Sequence, residues 1–169
     1  MDHVSITGSP LDIVHMTKLV TSPSSGAIVT FIGITRDNFE GKKVVQLEYE
    51  AYQPMAELQL KKICVEVRSK WPSVEHMAIA HRTGLVPVTE ASVIIAISSP
   101  HRGAALEGAQ FAIDQLKASV PIWKKVSHPA LVVLLEVRQT NCIVPLSGPT
   151  DQLFSATDQL PYFVLSLNN

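Results

Sequence analysis

The 169-residue sequence has little of what would mark a specialised chain. It holds only Cys64 and Cys142, without metal-ligand spacing, which excludes a disulfide scaffold or a zinc ribbon and suits a reducing compartment. Charge is sparse and almost balanced, with 14 Lys and Arg against 15 Asp and Glu. That excludes a broad polyanion-binding or membrane-binding surface while leaving room for local basic clusters. No apolar run approaches the roughly 20 residues of a membrane span. Residues 1–20 lack the basic run and apolar core of a secretory signal. The expectation is a cytoplasmic (cytosolic) protein with no nucleic-acid or membrane partner. Nothing repeats at a fixed period, so no solenoid is indicated, and the length suits one domain with a core of its own.

What is present concentrates between Ser98 and Lys125. Leu106, Ala109, Ile113, Leu116 and Val120 recur at steps of three and four, which predicts an amphipathic helix from Gly103 to about Lys117. Pro121 disfavours helical geometry at Val120, so Lys117 falls in the last turn and Lys124 on extended chain beyond it. Both ends of this helix are cationic. His101 and Arg102 stand where unpaired N–H groups and the helix dipole favour a phosphate or carboxylate. Lys117 and Lys124 supply ammonium groups that act as point charges, proton donors or, when desolvated, nucleophiles. The plainer alternatives are a solvated His-Arg loop and lysines that only offset the dipole; the residues alone leave both open.

Around this stretch, Val4–Thr7 is predicted as a strand and Ser9-Pro10 as the start of a helix to about Val20, capped by Ser9. Gly26–Thr35 is apolar and β-branched, the pattern of a central strand covered on both faces. In Lys43–Ala51, Val45, Leu47 and Tyr49 alternate with polar residues, predicting an antiparallel partner strand with one wet face. Pro54 opens a helix whose stripe is Ala56, Leu60, Ile63 and Val67, ended by Pro72, with Lys61, Lys62 and Arg68 facing solvent. Strands at His76–Arg82 and Ser92–Ser98 flank a loop containing Gly84 and Pro87. Helices and strands in mixed order give the α+β class.

Arg36 follows the most apolar strand, where adjoining loops commonly line a ligand site, and its planar fork suits phosphate or carboxylate. An ion pair with Asp37 or Glu40 across the turn is an equally open reading. His15, His76 and His81 lack partners at metal spacing and read as surface or satisfied core histidines.

Several of these segments carry a resemblance. They are Phe31-Ile32-Gly33-Ile34-Thr35-Arg36, Leu47-Glu48-Tyr49-Glu50-Ala51-Tyr52, His81-Arg82-Thr83-Gly84, Ser99-Pro100-His101-Arg102, and Leu116-Lys117 through Val120-Pro121-Ile122-Trp123-Lys124-Lys125. In this order and spacing the chain resembles the large, catalytic subunits of molybdopterin synthase, from the first strand to Lys125. The resemblance implies an α/β-hammerhead-like mixed sheet with flanking helices. It also implies a sulfurtransferase of molybdenum cofactor biosynthesis that converts cyclic pyranopterin monophosphate to molybdopterin. The sulfur would come from the C-terminal Gly-Gly thiocarboxylate of a small ubiquitin-like sulfur-carrier subunit. The implied assembly is a homodimer of large subunits within a heterotetramer. Carried over by motif, Arg36, His101, Arg102, Lys117, Lys124 and Lys125 bind substrate, Lys117 and Lys124 are catalytic, and no metal or other cofactor is expected.

The helix imposes a geometric expectation of its own. At about 1.5 Å per residue its ends lie roughly 20 Å apart, too far for one small pocket to use both. His101 and Arg102 of one subunit are therefore expected to complete the site holding Lys117 and Lys124 of the other.

Beyond Lys125 the resemblance stops. Val126 stands where the family pattern has Glu, and the only charged side chains of residues 126–169 are Glu136, Arg138, Asp151 and Asp158. The chain thus divides into a catalytic-subunit-like domain, residues 1–125, and a divergent tail, 126–169, expected to be poorly ordered apart from a candidate strand at Ala130–Val137. Loss of a countercharge beside two lysines supports an alternative, a non-catalytic variant that keeps dimer or small-subunit binding but lacks turnover. A plain phosphate-ligand-binding domain is a third reading, which explains the cations but not the motifs.

Overall fold

The computed structural model describes residues 1–39, 41–127 and 137–138. Of the candidate strand Ala130–Val137 only Val137 falls among them, and the rest of the expected tail beyond Ser127 lies outside apart from Arg138. In chain order the elements are β1 (Asp2–Thr7), α1 (Ile13–Leu19), β2 (Ala27–Ile34), β3 (Asn38–Phe39), β4 (Lys42–Lys43), β5 (Gln46–Ala51) and α2 (Gln53–Lys70). There follow β6 (His76–Arg82), β7 (Gly84–Pro87), β8 (Ala91–Ser99), α3 (Arg102–Ser119), β9 (Ile122–Ser127) and β10 (Val137–Arg138).

The strands form a mixed sheet in the order β1-β6-β8-β2, an antiparallel sheet in the order β10-β9-β5-β7, and the small β3–β4 hairpin. In the mixed sheet β1 runs parallel to β6, while β6 and β2 are antiparallel to β8. Successive strand residues face opposite sides, and the central strands use both. Ala78, Ala80, Ile94 and Ala96 pack with Met16 and Val20 of the α1 region. Met77, Ile79, Ile95 and Ile97 pack with Leu60, Ile63 and Val67 of α2 and Ile113 and Leu116 of α3. The unbroken apolar runs Met77–Ala80 of β6 and Val93–Ile97 of β8 follow from this two-sided cover.

Several expectations are corrected. Gly26–Thr35 carries β2, but among the described residues it is an edge strand paired with β8 alone, and Ile34 is exposed. The two-sided strands are β6 and β8. The segment around Lys43–Ala51 does form a strand, β5, yet it pairs with β7 and β9 rather than with β2. Alternation of side chains reports a half-buried strand without naming its neighbour. The Gly84–Pro87 loop is itself β7.

Three helix details also differ. Asp12, not Ser9, caps α1, its carboxylate accepting the His15 amide at 3.0 Å. In α3 the buried stripe is Ala105, Gly108, Ala109, Ala112, Ile113 and Leu116, whereas Leu106 is 53% exposed. Small residues set this stripe because α3 lies against both α2 and the sheet. Arg68 is half-buried, not free in solvent. It donates to the Asp2 carboxylate and to the carbonyls of Val74 and Glu75, each at 2.8 Å, tying α2 to β1 and to the turn before β6.

Strand β9 runs through Ser127, so the expected boundary at residue 125 falls inside it. Val126 is buried and lies opposite Leu47 of β5. No helix among the described residues is long and apolar enough to cross a membrane.

Candidate active site

The turn between α3 and β9 builds the cationic centre. Val120 leaves the helix at φ −79° and ψ 128°, the extended geometry that a following proline imposes. Its amide still caps the helix through the Leu116 carbonyl at 3.1 Å. Lys117 is thereby held in the last turn, and β9 returns along β5 with Lys124 opposite Tyr49. Arg36 enters from the end of β2. The preceding Thr35 is held to the turn before β8 by two backbone hydrogen bonds, from its amide to the Glu90 carbonyl at 3.0 Å and from the Thr89 amide to its own carbonyl at 2.8 Å.

These three elements bring Arg36, Lys117 and Lys124 together. Lys124 is half-buried, and its pKa is lowered, first by burial and then by the charges of Arg36 and Lys117. Three cations gathered with no carboxylate paired to them among the described residues raise the local potential and favour an anionic ligand. Among the described residues none of the three forms an ion pair. The Arg36 pairing with Asp37 is therefore not made, and Glu40 lies outside the described residues.

Lys125 does not join them. Neighbouring residues of a strand face opposite sides, and the Lys125 ammonium pairs with the Glu50 carboxylate, close to Glu48 in register. His101 and Arg102 are at the other end of α3, which has 18 residues and so spans about 27 Å. His101 is the N-cap residue, yet its imidazole makes no capping hydrogen bond, and both side chains are exposed. With Gly26, Ala27, Pro100 and Gly103 they line an open cavity of about 500 Å³. Gly26 is required there, because a Cβ would come within 2.5 Å of the Pro100 carbonyl oxygen.

Sequence reasoning missed three features. The Lys124 ammonium sits over the Phe39 ring, 5.1 Å from its centroid; the only hint was an aromatic in a polar turn. Buried Tyr49 meets buried His81 edge to face at 5.0 Å and hydrogen-bonds Ser92, whose hydroxyl donates to the Gly33 carbonyl at 3.2 Å. Burial pushes the His81 pKa down to about 4. Arg82, 9% exposed, pairs with Glu90 and so braces the turn that holds Thr35.

Comparison with known proteins gives this geometry its family. The family described as MoaE protein matches residues 6–119. A curated relative from Taeniopygia guttata, "Molybdopterin synthase catalytic subunit", is 59% identical over 124 residues, covering 73% of this chain and 80% of that one. One of the same name from Drosophila erecta is 58% identical over 125 residues, covering 74% of this chain; the match spans only 34% of that relative's length. Among solved structures, molybdopterin synthase from Staphylococcus aureus superposes with a TM-score of 0.70 at 39% identity, covering 73% of this chain and 89% of that one. The matched residues carry both ends of α3 and the strand that brings in Arg36, and by this match the chain belongs to the MoaE protein family.

Proposed function

We propose that this chain is the catalytic subunit of a sulfurtransferase that makes molybdopterin from cyclic pyranopterin monophosphate. The observation that carries this reading is the convergence of Arg36, Lys117 and Lys124 around one partly desolvated ammonium. The sulfur donor is the C-terminal thiocarboxylate of a small ubiquitin-like subunit, an anion that such a cluster attracts. Its sulfur attacks an electrophilic pterin carbon as an oxygen departs from that carbon. The carrier stays joined to the new sulfur as a thioester until water cleaves the acyl C–S bond, releasing the carrier as a carboxylate and leaving the sulfur on the pterin. Lys117 orients the thiocarboxylate and stabilises charge in the acyl intermediate. Lys124, whose lowered pKa makes it the better acid, protonates the departing oxygen.

His101 and Arg102 are the substrate-phosphate group of this reading, contributed across a homodimer. A span of about 22–24 Å along α3 separates them from Lys117 of the same chain. Lys125 acts from the opposite face of β9 by fixing Glu50. A hybrid dimer of His101→Ala and Lys117→Ala chains is expected to regain one intact site, and a verified hybrid without activity would refute the shared site. The assembly is a heterotetramer in the cytosol.

The test of function is single-turnover dithiolene formation by the purified chain with the thiocarboxylated small subunit and substrate, beside Lys117→Ala. Product that depends on Lys117 supports the enzyme. No product despite confirmed small-subunit binding favours the second reading, a non-catalytic variant, for which the specific observation is Val126, an apolar residue next to the two lysines.

A further inference from the structure

Lysine reaches its working position on a flexible four-carbon stem, and two neighbouring cations push Lys124 away. Something must hold its ammonium where the site needs it. Among the described residues no carboxylate pairs with Lys124. The contact that is present is the face of Phe39, 5.1 Å from ring centroid to ammonium, within the range of a cation–π attraction.

We propose that Phe39 is a positioning residue of the cationic site, its ring fixing the Lys124 ammonium beside Arg36 and Lys117. This deepens the sulfur-transfer reading by assigning what holds its proton donor. An aromatic face suits the task better than a carboxylate. A carboxylate would neutralise the cluster and repel an anionic thiocarboxylate, whereas the ring attracts the ammonium and adds no net charge.

The hairpin that carries Phe39 is built to keep the ring in place. Phe39 pairs with Lys42 and Asn38 with Lys43 across the β3–β4 ladder. Gly41 takes the turn at φ +76°, a conformation other residues enter at a cost, and its amide donates to the Asn38 side chain at 3.2 Å. At the base, the Val44 amide donates to the Asp37 carbonyl at 2.7 Å, and the Val44 side chain is buried. The ladder fixes which way the Phe39 side chain leaves the hairpin, and the base fixes where the hairpin stands relative to β9.

The groups that face Lys124 are Arg36 from the end of β2, Lys117 from α3, Phe39 from the hairpin and Tyr49 from β5, so the expected shifts have defined signs. Phe39→Leu keeps an apolar cover but removes the aromatic face, so the charged form loses an attraction. The Lys124 pKa then falls by about half a unit to one unit. Phe39→Trp keeps the face and holds the pKa near that of the parent chain.

The experiment follows the Lys124 side-chain carbon resonances through a pH titration of the full-length chain, assigned with Lys124→Arg, for the parent, Phe39→Leu and Phe39→Trp. Native amide dispersion in each variant establishes that the fold is kept. A fall in Leu that Trp does not share supports the positioning role. Equal titrations in all three, or the same shift in Leu and Trp, overturn it. Single-turnover kinetics provide a second readout: the Leu variant loses several-fold in rate with the substrate dependence unchanged, and Trp restores it. Because the titration needs no turnover, its failure is separable from failure of the sulfur-transfer reading.

Discussion

The two sheets of this molecule answer to different demands. In the mixed sheet, β6 and β8 carry the unbroken apolar runs Met77–Ala80 and Val93–Ile97 because helices cover both faces. In the antiparallel sheet, β5 and β9 alternate, and the charged positions hold what the site needs. Lys124 projects towards Arg36 and Lys117, while Lys125 pairs with Glu50 on the other side. A strand buried on both faces has no position to spare for a cation, since an unpaired buried charge costs several kcal/mol. The solvated face of β9 carries Lys125 at little cost, whereas Lys124 shares the inner face with buried Ile122 and Val126 and is partly desolvated. The buried scaffold therefore lies in the mixed sheet and Lys124 in the antiparallel one, with Arg36 reaching in from the end of β2. The seam of Tyr49, His81 and Ser92 joins the two sheets.

The contrast is broken most sharply at its extremes. Lys117→Ala is expected to lower single-turnover dithiolene formation by about 10²–10³-fold, with the denaturant midpoint almost unchanged because Lys117 is exposed. Ile95→Ala should do the reverse. Ile95 is fully buried, and losing its side chain costs about 2–5 kcal/mol, read in urea unfolding, while the folded fraction keeps its turnover. Equal loss of activity per folded molecule in both variants would abolish the division between the sheets.

The seam supplies a pH test. His81 is buried neutral, with its pKa depressed to about 4 against an ordinary value of 6.5. The unfolded chain binds a proton in that interval that the folded chain does not, so stability is present above about pH 6.5 and declines as pH falls towards 4. The full loss from this residue is about 3 kcal/mol. Urea midpoints of the parent and His81→Gln, followed from pH 7 to pH 4.5, should converge as pH falls; parallel curves would remove His81 from the acid response.

Lys124→Met sharpens the comparison with a smaller effect of opposite sign. The folded chain disfavours the charged form of Lys124, so the penalty is complete below its folded pKa and is relieved as pH rises towards 10.5. Removing the charge should stabilise the protein at pH 7 by about 0.5–2 kcal/mol, as relief of crowding at functional sites commonly does, while turnover is lost. The gain in Tm should shrink at pH 10. The smallest change is Lys125→Ala. Its ion pair with Glu50 is partly exposed, and the cost is within about 1 kcal/mol; a larger loss would mean that the outer face of β9 does more than cover the sheet.

Much of the chain was legible from local rules. The stripe Ala56, Leu60, Ile63 and Val67 with Pro54 and Pro72 bounded α2, because helix period and proline placement are local properties. The break at Pro121 put Lys117 at a helix end and Lys124 on a strand for the same reason. Order in the sheets was less legible. The apolar run Gly26–Thr35 read as central but stands at an edge, since composition cannot say how many neighbours a strand has. Leu106 read as core because its spacing fits, whereas close helix packing selected the small residues Ala105 and Ala112.

The sequence by itself determined the class, the helices, the cations at both ends of α3 and the motifs that carry the family resemblance, because each is a pattern within a short window. Only the tertiary structure decided which cations meet. Arg36 and Lys124 come from different sheets, Lys117 from a helix and Phe39 from a hairpin, and their approach depends on pairings between residues about 80 apart in the chain. Such pairings follow from the total burial of the core rather than from any local preference.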